Sequence, residues 1–273
     1  MSALLDSLAA GCDGDDARRQ ALDDVLRDGL PHARVEAWKY TPLRALERRS
    51  FAAGTAAAID AALLAWIPSP RLVFVNGCFD AGHSDLSGLP ATASLLTLPE
   101  ARADSDPRAS NFMQRRYARA DEPFARLNAA LAGQGAVLRI AENARLASPL
   151  HLVFVGAPAG NDQAWHLRNF IELRRGAEAT IVEHHLAGGE HAHLANALGH
   201  VHLAAGARLQ HVRVQAESAR ASLFNRTDAV LAREALYRRI DLELGAGLSR
   251  HERISAAGLA RLFDLIAHEG PAH

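Results

Sequence analysis

Residues 171–185 read IELRRGAEATIVEHH, and residues 193–215 read HLANALGHVHLAAGARLQHVRVQ. Each stretch holds a short run, a small-residue turn and a second run. In the first these are Ile171-Glu-Leu, Arg175-Gly176-Ala177 and Ala179-Thr-Ile-Val; in the second, Val201-His-Leu, Ala205-Gly206-Ala207 and Leu209-Gln-His-Val. Alternation of period two marks strands, and the small residues mark a sharp corner between them. The unit continues as Val230-Leu231 before Arg233-Glu234-Ala235, and as Leu242-Glu-Leu before Ala246-Gly247-Leu248. Upstream, Val137 to Ile140 and Leu150 to Val155 read as strands too. Alternating strands also suit a β-sandwich, but the recurrence of strand, turn and strand at intervals of a few tens of residues favours stacked rungs. The reading is a mainly β chain with a parallel β-helix core, in which no rung buries its apolar side alone. Alternation makes Ile171, Leu173, Val201, Leu203, Leu242 and Leu244 the inward positions. It also requires that 171–173 and 179–182 do not pair as an antiparallel hairpin.

Before this core the period is helical. Asp15 or Asp16 can cap a helix carrying Leu22, Val25, Leu26 and Leu30 on one face, with Gly29 and Pro31 as stops. Thr41-Pro42 supplies an N-cap and a first-turn proline for a second helix, with Leu43 and Leu46 inward. Ile59, Leu63, Trp66 and Ile67 predict a third over Ala57 to Ile67, ended by Pro68. Helical spacing returns from Asn111 to Leu131, interrupted at Pro123 and stopped by Gly133. Leu-Val-Phe-Val75 followed by Asn76-Gly77 is instead a buried strand running into a turn. Two regions follow: 1–130, helical with one buried strand, and 131–273, the β-helix core.

Composition limits what such a chain does. Of 273 residues, 49% are hydrophobic and 22% charged, enough for a sizeable core, and the formal net charge is -1. That balance lacks the basic footprint of a nucleic-acid binder, so no nucleic-acid partner is expected. The two cysteines, Cys12 and Cys78, are too few for a disulfide framework or a cysteine zinc site and read as free thiols. The apolar run from Leu4 to Ala10 has no basic residue before it and acidic ones after it, unlike a signal peptide. The longest apolar stretch, Ile59 to Val75, contains Asp60, Pro68, Pro70 and Arg71, so no membrane partner is expected and a cytoplasmic location is.

Five segments in order then resemble the SufB/SufD family of the bacterial SUF iron–sulfur assembly machine. They are EAWKYTPL at 36–43, LVFVNGCF at 72–79, FARLNAALAGQGAVLRI at 124–140, and the two stretches quoted first. The resemblance spans roughly residues 30 to 255. It implies a right-handed parallel β-helix behind a helical N-terminal region. It also implies a non-catalytic scaffold role beside a SufB-like paralogue and a SufC-like ATPase, with the iron–sulfur cluster belonging to the full assembly rather than to this chain. The family's cluster and SufB-pairing residues lie late in the β-helix, and its SufC contact lies in a C-terminal helical region. On that basis the core is expected to be incomplete at its C-terminal end. Leu259, Leu262, Phe263 and Ile266 have helical spacing, so Gly258 to His268 is expected to form one short covering helix. A chain so ended is expected to self-associate, to bind SufC poorly and to build no cluster alone.

No catalytic, cofactor-binding or metal-binding residue is assigned. His184, His185, His191, His193, His200, His202 and His211 crowd one stretch, and His191-Ala-His193 resembles a cupin HxH. Leu194 to Leu198 supply no carboxylate to complete such a site, so a solvated face or turn is expected for these histidines. A small His-rich metal-binding β-protein is the alternative. Glu172, Glu183, Asp241 and Glu243 lie on strands, as in a carbohydrate-active β-helix enzyme, the other alternative. They fall singly along the chain and are expected to face solvent. Ser222, Ser249 and Ser255 lack a nucleophile-elbow context, Gly188-Gly189 lacks the lysine of a phosphate loop, and Trp38 and Tyr40 read as packing residues.

Overall fold

The computed structural model describes residues 2–12, 14–103, 115, 117–257 and 261–268. The strands are β1 (Ala52–Ala53), β2 (Arg71–Val75), β3 (Cys78–Phe79), β4 (Ala93–Thr97), β5 (Ala136–Ile140), β6 (Leu150–Gly156) and β7 (Gln163–Leu173). They continue as β8 (Glu178–Ala187), β9 (Leu194–Leu203), β10 (Arg208–Ala216), β11 (Ser222–Leu231), β12 (Leu236–Glu243), β13 (Leu248–Ala257) and β14 (Arg261–His268). Consecutive long strands alternate between two sheets. Among the described residues, sheet A runs β13-β11-β9-β7-β5-β4 with β1 on β7, and sheet B runs β14-β12-β10-β8-β6-β2-β3. From β5 onward every strand pairs in parallel with the strand two further along. Ile171–Leu173 and Ala179–Val182 therefore lie in different sheets, and a parallel β-solenoid is the outcome.

The corners explain how a chain of L-residues makes this path. Asn143, Gly176, Gly206 and Glu234 all have positive φ, at 58°, 66°, 69° and 59°. They recur about thirty residues apart, one per rung. The turns stack directly: Asn143 N–H donates to Arg175 O at 2.8 Å, Gly176 N–H to Ala205 O at 3.0 Å, and Gly206 N–H to Arg233 O at 3.0 Å. Between the sheets lies an aliphatic core containing Leu138, Leu152, Ile171, Leu173, Ile181, Val201, Leu203 and Leu209, all at most 2% exposed.

The N-terminal region covers the outer face of sheet A. The Asp16–Asp28 helix is capped by the Asp15 side chain on Arg18 N–H and ends at Gly29. The Pro123–Leu131 helix lies against β7 and β9, where Asn128 donates to Leu167 O at 2.8 Å and to Asn196 O at 3.2 Å. Trp38 is buried beside Phe124 and Phe224, and its indole N–H donates to Asp121 O at 2.9 Å.

Several local expectations are corrected. Thr41-Pro42 starts no α-helix; the next helical residues along the chain are a 3₁₀ turn at Leu46–Arg48. Ala57–Ile67 forms only the 3₁₀ turn Ala61–Leu64 and then lies along sheet B, because burying Leu64 and Ile67 there outweighs weak helix propensity. Residues 111–114 lie outside the described residues, as do 258–260 with Leu259. From Arg261 the segment expected to be helical is β14, in parallel register on β12, so ladder pairing overrides its helical spacing. Tyr40 is 86% exposed, with the Lys39 ammonium 5.3 Å from its ring, and is not a core packing residue. Leu242 is half-buried and Leu244 exposed, since β12 presents its other face inward.

An alanine Cβ at Gly206 would meet nothing within 4 Å, so Gly206→Ala isolates the cost of a left-handed corner. We expect urea denaturation to show a loss of about 1–2 kcal/mol for Gly206→Ala. Glu234→Gly, which relieves the same conformation one rung later, should be neutral or stabilising by up to about 1 kcal/mol.

Candidate functional site

Along sheet B the inward side chains change character partway down the stack. In β6 they are Leu150, Leu152 and Phe154; in β8 they are Ile181, then Glu183 and His185. In β10 they are Leu209, His211, Arg213 and Gln215, and in β12 they are Tyr237, Arg239 and Asp241. Parallel register places Arg213 beside both Glu183 and Asp241, and Arg239 beside His211. The sequence thus fills the lower lumen with ions at positions where the upper rungs hold aliphatics.

Asp241 is the hub. Its carboxylate accepts from Arg213 Nε at 2.9 Å, Arg239 Nε at 3.0 Å and Arg253 Nη1 at 3.1 Å, with His251 Nδ1 at 3.5 Å. Arg213 also pairs with Glu243, which lies nearer the end of the strand. Arg239 donates onward to Thr227 Oγ1 at 2.8 Å and Tyr237 Oη at 3.1 Å. His211 Nδ1 lies 2.9 Å from that same phenol oxygen, and its Nε2 lies 3.2 Å from Glu183. Arg213, Arg239 and Asp241 are each at most 1% exposed.

Burial would push the Asp241 carboxyl up. The hydrogen bond to His251 and the charges of Arg239 and Arg213 instead hold it far below the usual range. Glu183 is likewise held well below its ordinary value, because contacts to His211 and His185 and the charge of Arg239 outweigh burial. Glu217 is the exception: burial pushes it up to about 8, and its Oε2 has no partner.

The expectation of solvated acids is therefore overturned for Glu183 and Asp241, and Glu172 and Glu243 are only partly exposed. The histidines are corrected as well, since all but the half-buried His202 are buried, and they divide among four places. His185 and His211 face the lumen. His184 lies on the outer face of sheet B, 3.0 Å from His151 and edge-on to Trp66. His191 and His193 stack in the loop entering β9, where His193 donates to Ala157 O at 2.8 Å and accepts from Gln163 N–H at 2.9 Å. His200 and His202 lie on the outer face of sheet A, where Arg168 Nε donates to His200 at 3.3 Å. Among the described residues no three His, Cys, Asp or Glu side chains are grouped as a metal site requires. Ser222 is buried at the start of β11, Ser249 donates to Glu243 at 2.9 Å, and Ser255 is exposed on β13.

Residues 154–257, spanning these rungs, match the family model described as SUF system FeS cluster assembly, SufBD core domain. These rungs carry a SufBD core domain. Over 248 residues it is 28% identical to the iron–sulfur cluster assembly SufBD family protein slr0076 of Synechocystis, covering 86% of this chain and 54% of that protein. Over 239 residues it is 30% identical to the iron–sulfur cluster assembly protein SufD of Escherichia coli K12, covering 85% and 53%. The chain spans about half the length of these curated relatives. The SufBD core coincides with the rungs that enclose the ionic lumen, which sequence reasoning missed. Its signal is one of phase: Tyr237, Arg239 and Asp241 alternate with Leu236, Ile240 and Leu242, and of these the sequence reading places Leu242 inward.

Buried charge in the lumen and buried histidines elsewhere set how stability responds to mutation and pH. Asp241→Ala removes the carboxylate that three guanidinium groups share and should cost about 3–5 kcal/mol in urea denaturation. Glu178→Ala, which removes exposed pairs with Arg145 and Arg208, should cost under about 1 kcal/mol. Burial lowers His200 to about 2, His166 and His251 to about 3, and His184 and His191 to about 4. Unfolded histidines take a proton below about pH 6.5 while these folded ones do not, so the unfolded state binds more protons. Their stabilising contribution is complete above that value and declines as pH falls toward 4, visible as a falling Tm between pH 7 and 5. Glu217 acts oppositely: its folded carboxyl keeps a proton, and stability declines as pH rises from the usual carboxylate range through about 8. Glu217→Gln should therefore stabilise the chain by roughly 1–3 kcal/mol at pH 8 and by less at pH 5.

Proposed function

We propose that the chain is a non-catalytic scaffold subunit of the SUF machinery, acting in the cytoplasm beside a SufB-like paralogue and a SufC-like ATPase to build iron–sulfur clusters. The carrying observation is that the SufBD core match falls on the stacked parallel rungs β6 to β13. A rigid stack with a salt-bridged interior suits a platform for partners better than a substrate cleft. The acids that a carbohydrate-active enzyme would use are absorbed differently here, Glu183 and Asp241 being buried in ion pairs. The cluster is cargo of the whole assembly. Protein clusters of this kind are held mainly by several thiolates, and this chain supplies two separate cysteines. Among the described residues no helix is long and apolar enough to cross a membrane.

Anaerobic reconstitution tests this reading. Mixed with a SufB-like paralogue and a SufC-like ATPase, the chain should enter a complex that acquires iron, sulfide and cluster absorbance, whereas the chain alone should acquire none. Stable cluster on the isolated chain, or no association with the SufB-like paralogue, would overturn it.

A further inference from the structure

The ionic lumen has a counterpart on the outside of the same strands. Where β8, β10 and β12 turn charges inward, they turn aliphatics outward: Val182, Val212, Val214, Ile240 and Leu242. Register joins them into one strip, with Val212 beside Val182 and Ile240, and Val214 beside Leu242. All five are half-exposed. A free sheet face normally alternates to polar side chains on its solvent side, so an uncovered aliphatic row marks a contact surface.

The same sheet shows what such a face takes. Higher up, the chain's own segment around Ala61–Leu64 covers it, burying Leu64 and Ile67 on Val73, Val75, Val153, Val155 and Leu186. The cover ends at Trp66, 60% exposed and edge-on to His184, which is in register with Val214 on the neighbouring strand. The strip begins where the cover stops. At the strand starts a groove of about 440 Å³ is lined by Arg145, Arg208 and Arg238 around the single carboxylate of Glu178. Glu178 pairs with Arg145 and Arg208, and Arg238 makes no ion pair among the described residues. The face is thus aliphatic in its middle and cationic at one rim.

We propose that this outer face of sheet B docks a short amphipathic segment of another protein, one that lays aliphatic side chains on Val212, Val214 and Ile240 and acidic side chains on Arg208 and Arg238. Charge complementarity selects an acidic segment, and the chain's own cover supplies the form. The surface is the flank of the sheet rather than the end of the stack, so it is separate from any partner that extends the rungs.

The test uses the full chain and a fluorescein-labelled synthetic peptide with Leu at i, i+3, i+4 and i+7 and Glu elsewhere, against a twin with Lys for Glu. Anisotropy should show saturable binding of the Glu peptide, weakened by added salt, with the Lys peptide at least about tenfold weaker. Val212→Glu should weaken the Glu peptide at least about tenfold. Arg208→Glu with Arg238→Glu, both on exposed positions, should do the same while Tm stays near that of the parent. Absence of binding, equal binding of the two peptides, or binding indifferent to both variants would overturn the proposal. So would self-association of the chain that Val212→Glu abolishes, because a second copy would then be the occupant. None of these failures touches association with the SufB-like paralogue, which the reconstitution reads separately.

Discussion

Main-chain hydrogen bonding between each strand and the strand two positions later is the constraint from which the architecture follows. Once β7 bonds β9 and β8 bonds β10 in parallel, the chain must turn a corner at every rung, and the corner must recur at the same height. That requirement explains the column of positive-φ residues and why the amides of Asn143, Gly176 and Gly206 donate to the carbonyls of the next corner. It also fixes which side chains share the lumen, because parallel register stacks like positions on one another. Ile171 above Val201 and Arg213 above Asp241 are products of the same ladder.

What fills the lumen then varies along the stack. The upper rungs gain stability by removing Leu, Ile and Phe side chains from water. The lower rungs desolvate several ions, and only dense pairing offsets that cost. Asp241 illustrates the solution: one carboxylate accepts from three arginines, and two of those reach further partners in Glu243, Thr227 and Tyr237. Such a network specifies register strongly, since a slip of one residue in β12 would put Ile240 among the charges and Arg239 outside.

The sequence was legible where apolar and inward coincide. Ile171, Leu173, Val201 and Leu203 alternate in phase with the lumen and were placed correctly, as were the corners at Gly176 and Gly206 and the strand Arg71–Val75 before its Asn76-Gly77 turn. Legibility failed where the phase inverts. In β12 the aliphatics face out and the ions face in, so reading by hydrophobicity assigned Leu242 inward and left Glu183 and Asp241 in solvent. It failed again at Arg261–His268, where helical spacing is real in the sequence but a neighbouring strand offers a ladder. Both failures share a cause, since neither the partner strand nor the ion across the lumen is encoded within a local window. Family resemblance, carried by ordered segments rather than by one phase, was immune to them.

The repeating geometry also sets the order in which such a chain can form. From β5 onward every strand pairing spans a single rung, so closure there costs about the same loop entropy at each step instead of rising with chain length. Structure can therefore begin wherever one pair of rungs is stable alone and spread to its neighbours. The aliphatic rungs around β5, β6 and β7 come nearest to that condition. The ionic rungs do not meet it, because Arg213 is paired only after β12 has brought Asp241 alongside. Growth thus has a direction, from the greasy end toward the charged end, and the last elements to lock are those carrying the network itself.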